Sequence, residues 1–342
     1  MDRLVRIRGC LLAGAVGDAL GYAVEFDSGK AIRKLVGEAG VRHYLELRGN
    51  LPVAPISDDT QMTLFTAEGM LWAKGHGYDF VSGVYEAYRD WLKTQQSKEL
   101  GSDARPDSYL MKQPALFSPR APGNTCLSAL RSGKIGSVMQ PINNSKGCGG
   151  VMRVAPCGMM ALMQADDPED VYALQGAAAA AITHGSPLGW LPAAMLADMV
   201  HLCLMERCAS LREVIEISLA HVMHIWDDCL EAEAFSALMK KAFDLADRNL
   251  PDERAIGLLG EGWVGDEALA IAVYCCLKHP ENMTDCLSAA VTHKGDSDST
   301  GAIAGNILGA WLGVDAVEEE HLSQLELRDV IEEMARRMAA AE

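Results

Sequence analysis

Two acidic clusters are the residues best suited to chemistry: Ser57-Asp58-Asp59-Thr60 and Asp296-Ser297-Asp298-Ser299-Thr300. Each precedes an apolar stretch. The simplest reading is helix capping, because carboxylates at a helix N-terminus satisfy free N–H groups and the helix dipole. A second reading is a shared metal site. Four carboxylates with flanking hydroxyls form the hard oxygen donor set that Mg²⁺ and Mn²⁺ prefer, and gathering them without cations would be repulsive. More than two hundred residues separate the clusters, so spacing alone leaves both readings open.

Other motifs compete for the same residues. The run from Asp296 to Gly301 begins like a calcium-binding EF-hand loop, but its twelfth position is Ile307 where a bidentate Glu is needed. It also fits the D-x-D-x-T pattern of aspartyl-phosphate chemistry, which requires a buried strand just before it. Residues 289–295, AAVTHKG, give no clear strand pattern. The glycine-rich segments 14–21 and 145–150 could let backbone N–H groups approach a diphosphate, yet neither follows a clear strand. His221, His224, Asp227 and Cys229 could ligate zinc from one helical face, though a plain amphipathic helix explains them as well.

The elements that must position these residues read as helices. Met62, Leu64, Phe65, Leu71 and Trp72 fall at helical intervals, as do the apolar positions of 192–205 and 265–277, and nothing resembles a run of βαβ units. Gly301, Gly305, Gly309 and Gly313 recur every four residues. Each glycine costs about 1 kcal/mol of helix propensity relative to Ala, so the ridge predicts a central helix that another backbone approaches closely. Its N-terminal end would carry the Asp296/Asp298 loop into the middle of the fold. The irregular stretches 98–125 and 139–150 are long enough to wrap a ligand.

Composition narrows the class. With 49% hydrophobic residues, abundant alanine and no linker-like stretch, the 342 residues are expected to form one all-α domain. The formal net charge of −17 disfavours a broad nucleic-acid surface, which would need clustered Lys and Arg. Ten scattered cysteines without a C-x-x-C pair suit a reducing cytoplasm. No run reaches the roughly 18 uninterrupted apolar residues of a membrane span. The best stretch, 302–316, is interrupted by Asn306.

A set of ordered motifs adds what spacing cannot. GAVGDALGYAVEF (14–26), SDDTQM (57–62), RAPGNTC (120–126), GCGGVMRVAPCG (147–158), ITHGSP (182–187), GEGWVGDEALA (260–270) and GDSDSTGAIAG (295–305) together resemble the ADP-ribosylglycohydrolase family. That resemblance implies a compact, single-domain, all-α fold around a binuclear Mg²⁺ or Mn²⁺ site. The implied metal ligands are Ser57, Asp58, Asp59, Asp296, Asp298 and Ser299. Of these, Asp58, Asp59 and Asp298 would serve catalysis with Glu25, which would orient water or gate the site. Gly123, Asn124, Thr125, Gly147, Cys148, Gly149, Gly150 and His184 would line the substrate cleft, with Cys148 where many members carry Asn. Some members place an acidic residue just before the Gly-Asn-Thr loop; here Ala121-Pro122 stands there, so no general base carries over.

The implied activity is hydrolysis of the bond between ADP-ribose and a modified protein, with arginine the foremost target. The acidic balance of the chain suits a basic target. A cytoplasmic immunity role against an ADP-ribosylating toxin, with the cognate transferase as partner, fits the same resemblance. So does a non-catalytic protein that binds ADP-ribose or blocks a transferase on the same fold.

Overall fold

A computed structural model describes residues 1–45, 52–99, 101, 105 and 107–341. Helical periodicity is realised from end to end, as fifteen α-helices among the described residues. The first five are α1 (Arg3–Tyr22), α2 (Gly29–Val36), α3 (Asp58–His76), α4 (Phe80–Gln96) and α5 (Asn124–Arg131). Then come α6 (Val171–Ala181), α7 (Pro187–Met205), α8 (Leu211–Ile225), α9 (Leu230–Ala246) and α10 (Asp252–Leu259). The series ends with α11 (Gly265–Lys278), α12 (Met283–Val291), α13 (Ser297–Leu312), α14 (Glu319–Gln324) and α15 (Arg328–Ala340). Polar residues start several of them: Ser28, Asp79, Ser210 and Asn282 each accept a backbone N–H from the first turn. Gly77, with φ +71°, ends α3 in the left-handed conformation that glycine adopts without strain.

The centre is α1 packed along α13. A Cβ at Gly301 would lie 2.4 Å from the Gly17 carbonyl oxygen, one at Gly305 2.1 Å from that of Ala13, and one at Gly309 2.2 Å from that of Gly9. The ridge expected on α13 is therefore met by a second ridge on α1. There Gly9, Gly17 and Gly21 approach the Gly309, Gly301 and Ser297 carbonyls equally closely. Glycine on both sides lets two helix backbones touch, where larger residues would hold them at the usual 8–10 Å or so.

This contact corrects the phosphate-loop reading of residues 14–21. They lie inside α1, with their N–H groups in the helical ladder and their bare Cα atoms turned to α13. The D-x-D-x-T reading also loses its context, since the element before Asp296 is helix α12.

The apolar positions of α3 do not form one face; the helix is buried on nearly all sides from Asp58 to Met70, while Leu71 and Trp72 are only half-buried. The irregular stretches contain short 3₁₀ turns at 110–112, 114–116 and 148–150, and α5 begins before the first of them was expected to end. Positions 100, 102–104 and 106 of that stretch lie outside the described residues.

Among the described residues, one helix, α7, is long and apolar enough to cross a membrane. Most of it is buried against other helices, and its Asp198 pairs with His221. The sequence points to 302–316 instead, because uninterrupted length passes over a helix carrying one acid. All ten cysteines are free thiols.

Candidate metal centre and active site

The N-terminus of α3 is organised by a residue of another helix. Asp18, fully buried in α1, accepts the Ser57 N–H with both carboxylate oxygens at 3.0 Å, the Thr60 N–H at 3.1 Å and the Thr60 hydroxyl at 2.5 Å. The Ser57 hydroxyl accepts the Asp59 N–H at 3.1 Å. With these donors occupied, Asp58 and Asp59 are spared the capping role. Asp58 instead accepts the Gly123 N–H at 3.2 Å, and the Asp58 N–H donates to the Arg120 carbonyl at 2.9 Å.

The N-terminus of α13 is built from a tight turn. Gly295 has φ +127°, and a Cβ there would sit 2.0 Å from the Glu261 carbonyl oxygen, so the chain needs glycine to present Asp296. The Asp296 N–H donates to that same carbonyl at 2.8 Å. The Asp296 carboxylate makes no capping bond within α13, while Asp298 accepts its neighbour's Ser299 N–H at 2.9 Å. Ser297 donates to the Gly21 carbonyl at 3.0 Å, fastening this end to the end of α1 just before Glu25.

The three segments therefore converge. One ligand atom each from Glu25, Asp296 and Asp298 lie within 4.8 Å of one another. Asp58, Asp59 and Asp18 complete a set of buried carboxylates whose charges act on one another. Burial, and then the charge of Asp298, push Glu25 up to about 9 and Asp18 up to about 7. The same two causes, in the same order, raise Asp58, Asp59 and Asp296 well above the carboxylate range. Among the described residues, Glu25 Oε2 and Asp59 Oδ2 are buried without a hydrogen-bond partner. Orphaned acceptors within mutually repelling acids are what a cation site presents before the cation is counted, so the donor set fits divalent metal. Ser299 sits beside it, its hydroxyl 4.0 Å from Met152 Sδ and within reach of the Cys148 thiol.

The expected substrate residues surround this cluster. Gly123 and Asn124 are exposed at the start of α5, with open space beside the Gly123 Cα, and Thr125 meets Ser145 at 3.0 Å between the hydroxyls. Ala121, two residues before Gly123, has φ +53°, uncommon for a residue with a Cβ. The Cys148 thiol donates to Asp296 Oδ2 at 2.6 Å, which fits a thiol kept protonated by burial first and by Asp296 second.

The 147–150 segment is less free to cradle an anion than its glycines suggest. The Gly147 N–H is bound to Ser145 Oγ at 3.3 Å and the Cys148 N–H to the Trp263 carbonyl at 3.3 Å. Gly149 and Gly150 are small for packing reasons: a Cβ would meet Cys126 Sγ at 3.0 Å and the Gly189 carbonyl at 2.6 Å. His184 is buried behind this loop, its Nε2 3.4 Å from where Cβ atoms of Gly147 and Gly149 would stand.

Residues 1–342 match the family profile described as ADP-ribosylglycohydrolase. The chain belongs to the ADP-ribosylglycohydrolase family. It is thereby an enzyme that hydrolyses glycosidic bonds to ADP-ribose. It is 27% identical to the ADP-ribosylhydrolase ARH3 of Mus musculus, over 92% of this chain and 85% of that protein. It is 28% identical to the ADP-ribosyl-[dinitrogen reductase] glycohydrolase of Rhodospirillum rubrum, over 94% and 91% respectively. Among solved structures, an ADP-ribosylglycohydrolase-related protein complex shares the fold, with a TM-score of 0.68 at 23% identity, covering 99% of this chain and 98% of that one. ADP-ribosylglycohydrolases depend on metal ions, and the acidic cluster here has the donors to hold them.

Several contributors escape a reading of spacing. Asp18 sits in the GDALG motif, but only the fold shows that it caps α3. Phe26 and Trp263 stack at 6.0 Å between ring centroids, 76% and 40% exposed. They adjoin the cluster, since Phe26 follows Glu25 and the Trp263 carbonyl binds the Cys148 N–H. The zinc alternative at His221, His224, Asp227 and Cys229 loses its first donor: His221 Nδ1 lies 3.0 Å from Asp198 and Nε2 2.8 Å from Asp170, so both ring nitrogens serve a structural clasp.

Proposed function

We propose that the chain removes ADP-ribose from arginine side chains of modified proteins by cleaving the N-glycosidic bond. Convergence carries the reading: Glu25 meets Asp296 and Asp298 of one helix N-terminus, and the charges of Asp58 and Asp59 at the other act on the same buried group. Ser57, Asp58, Asp59, Asp296, Asp298 and Ser299 would hold two divalent cations, Mg²⁺ or Mn²⁺. Bound there, the pair supplies Lewis acidity and a template for sugar hydroxyls.

The chain's own residues do the rest. Asp58, Asp59 and Asp298 keep negative charge beside the anomeric carbon, where an oxocarbenium-like transition state gains positive charge. Glu25, which offers a carboxylate oxygen to the cluster, orients the attacking water. Gly123, Asn124 and Thr125 form one wall of the substrate cleft, and Gly147 to Gly150 with His184 behind them form the other. A net charge of −17 favours a guanidine-bearing target over an acidic one. The 342 residues act as one domain, since α1 and α13 from opposite ends of the chain build the site together. A cytoplasmic setting suits the free thiols. Reversing such a modification would also protect a cell from an ADP-ribosylating toxin, whose transferase would be the cognate partner.

The test is release of ADP-ribose from arginine-modified and serine-modified proteins, with Mg²⁺ or with chelator, by wild type, Asp58→Ala and Asp298→Ala. Release from the arginine-linked substrate should need the cation and both acids. Preference for the serine linkage would overturn the arginine assignment. Release that survives chelation and both substitutions would overturn the metal site.

A further inference from the structure

The arginine of the GCGGVMR motif has no role in the chemistry so far. Arg153 is fully buried, and among the described residues no carboxylate is one of its hydrogen-bond partners. Its Nη1 donates to Cys126 Sγ at 3.2 Å and Met62 Sδ at 3.6 Å, its Nη2 to the Ala179 carbonyl at 3.1 Å and to Thr183 Oγ1 at 2.7 Å. The Tyr88 ring lies 4.4 Å from its guanidinium carbon. Burying a cation without an anion is costly, so its retention calls for a reason beyond packing.

Proton accounting supplies one. A guanidinium only donates, so Thr183 Oγ1 accepts from Arg153 and its hydroxyl hydrogen must point elsewhere. At 2.8 Å lies His184 Nδ1, a far better acceptor than the neighbouring sulfur of Cys126. A ring nitrogen that accepts carries no proton, which places the hydrogen of the neutral imidazole on Nε2. Among the described residues Nε2 has no hydrogen-bond partner, and it faces the Gly147–Gly149 loop that borders the acidic cluster.

We propose that Arg153 and Thr183 are positioning residues that hold His184 in the Nε2–H tautomer, so that the imidazole acts solely as a hydrogen-bond donor to an oxygen of the bound ligand. Burial, and then the charge of Arg153, push His184 down to about 3, so the ring stays neutral as this role requires. His184 is thus a fixed donor and takes no part in general acid or base chemistry. The acceptor is a phosphate oxygen or a sugar hydroxyl. Its membership of ADP-ribose rests on the hydrolase reading above; the tautomer does not.

Long-range ¹⁵N–¹H correlation spectra of the labelled full chain decide the tautomer, with the His184 signals identified by their loss in His184→Asn. Expected are a pyridine-type Nδ1 and a pyrrole-type Nε2 between about pH 5 and 8, where an unperturbed histidine would titrate. A pyrrole-type Nδ1, or an imidazolium in that range, would overturn the proposal. In calorimetry, Thr183→Val should weaken ADP-ribose binding about tenfold, the order expected for one hydrogen bond, and Thr183→Ser should restore it. Equal weakening by Val and Ser would overturn the relay. Parallel weakening for ADP assigns the acceptor to a phosphate, and weakening confined to ADP-ribose assigns it to the terminal ribose; both support the proposal. A wild type that does not bind ADP-ribose would overturn the hydrolase reading and leave the spectra to decide the tautomer.

Discussion

Asp18 caps a helix to which it does not belong: its carboxylate, within α1, takes the Ser57 N–H at 3.0 Å and thereby seats the first turn of α3. Capping by a distant acid resolves the competition between the two readings of Ser57-Asp58-Asp59. Asp18 and the Ser57 hydroxyl do the capping, and the following carboxylates are left for a ligand.

Asp18→Asn keeps the shape but replaces one accepting oxygen with a donor that opposes the Ser57 and Thr60 N–H groups. Divalent-cation affinity should fall about 10- to 100-fold, the usual range when a group supporting a metal ligand is lost. Calorimetric titration with Mn²⁺ measures it, and unchanged affinity would mean that Asp18 only stabilises the helix.

Asp59 should destabilise the protein when no cation is bound, because its Oδ2 is buried without a partner among other acids. Asp59→Asn is expected to raise the melting temperature of chelated protein by about 2 °C or more and to shrink the further rise on adding Mg²⁺. A thermal shift assay with and without chelator reads both effects. A fall in the chelated melting temperature would contradict it.

The pH dependence of stability should carry the signature of His221. Its hydrogen bond to Asp198 first, and its pairing with Asp170, hold the imidazolium up to about 9 in the folded chain, against 6.5 when free. A raised histidine contributes stability that is full below its unfolded value and is lost as pH climbs through the folded one. His221→Gln should therefore cost most at about pH 6 and little above about pH 9. Urea unfolding of both proteins across that window is the check.

Phe26 and Trp263 expose aromatic faces beside an acid-lined site, an arrangement suited to an incoming guanidinium. Trp263→Ala should raise KM for an arginine-modified protein by about fivefold with kcat little changed, in keeping with a partly exposed cation–π contact of about 1 kcal/mol. Steady-state kinetics separate the two constants. A drop in kcat alone would place the pair with the reacting atoms.

Gly305→Ala adds one methyl group where the Ala13 carbonyl leaves 2.1 Å. Overpacking of this kind costs about 1 to 3 kcal/mol even though alanine is the better helix former. Denaturant unfolding should show the loss, whereas Gly257→Ala, which meets nothing within 4 Å, should leave the protein as stable or more so.

The fold was legible where period and punctuation agree. Apolar spacing marked α3, α7 and α11, and the four-residue glycine step marked α13 as central. The matching step on α1 was hidden because Gly14, Gly17 and Gly21 fall within a pattern that also describes a phosphate loop, and only a partner helix tells the two apart. The acidic residues could be named one by one, yet their meeting depends on contacts between chain segments far apart in sequence. Local spacing carries no information about that. Thr183 and Arg153 were silent for a related reason: their effect is exerted through the proton position of a third residue.

The glycine seam between α1 and α13 has a mechanical consequence. Two backbones in contact cannot slide past one another, since any axial shift would drive a carbonyl into a Cα. Glu25, three residues beyond the end of one helix, and Asp296 and Asp298 at the start of the other are thus mounted on a single rigid anvil. The opposite jaw is tied less directly: Asp18 of α1 holds the start of α3 through its side chain, and Asp58 of α3 in turn holds the loop before α5.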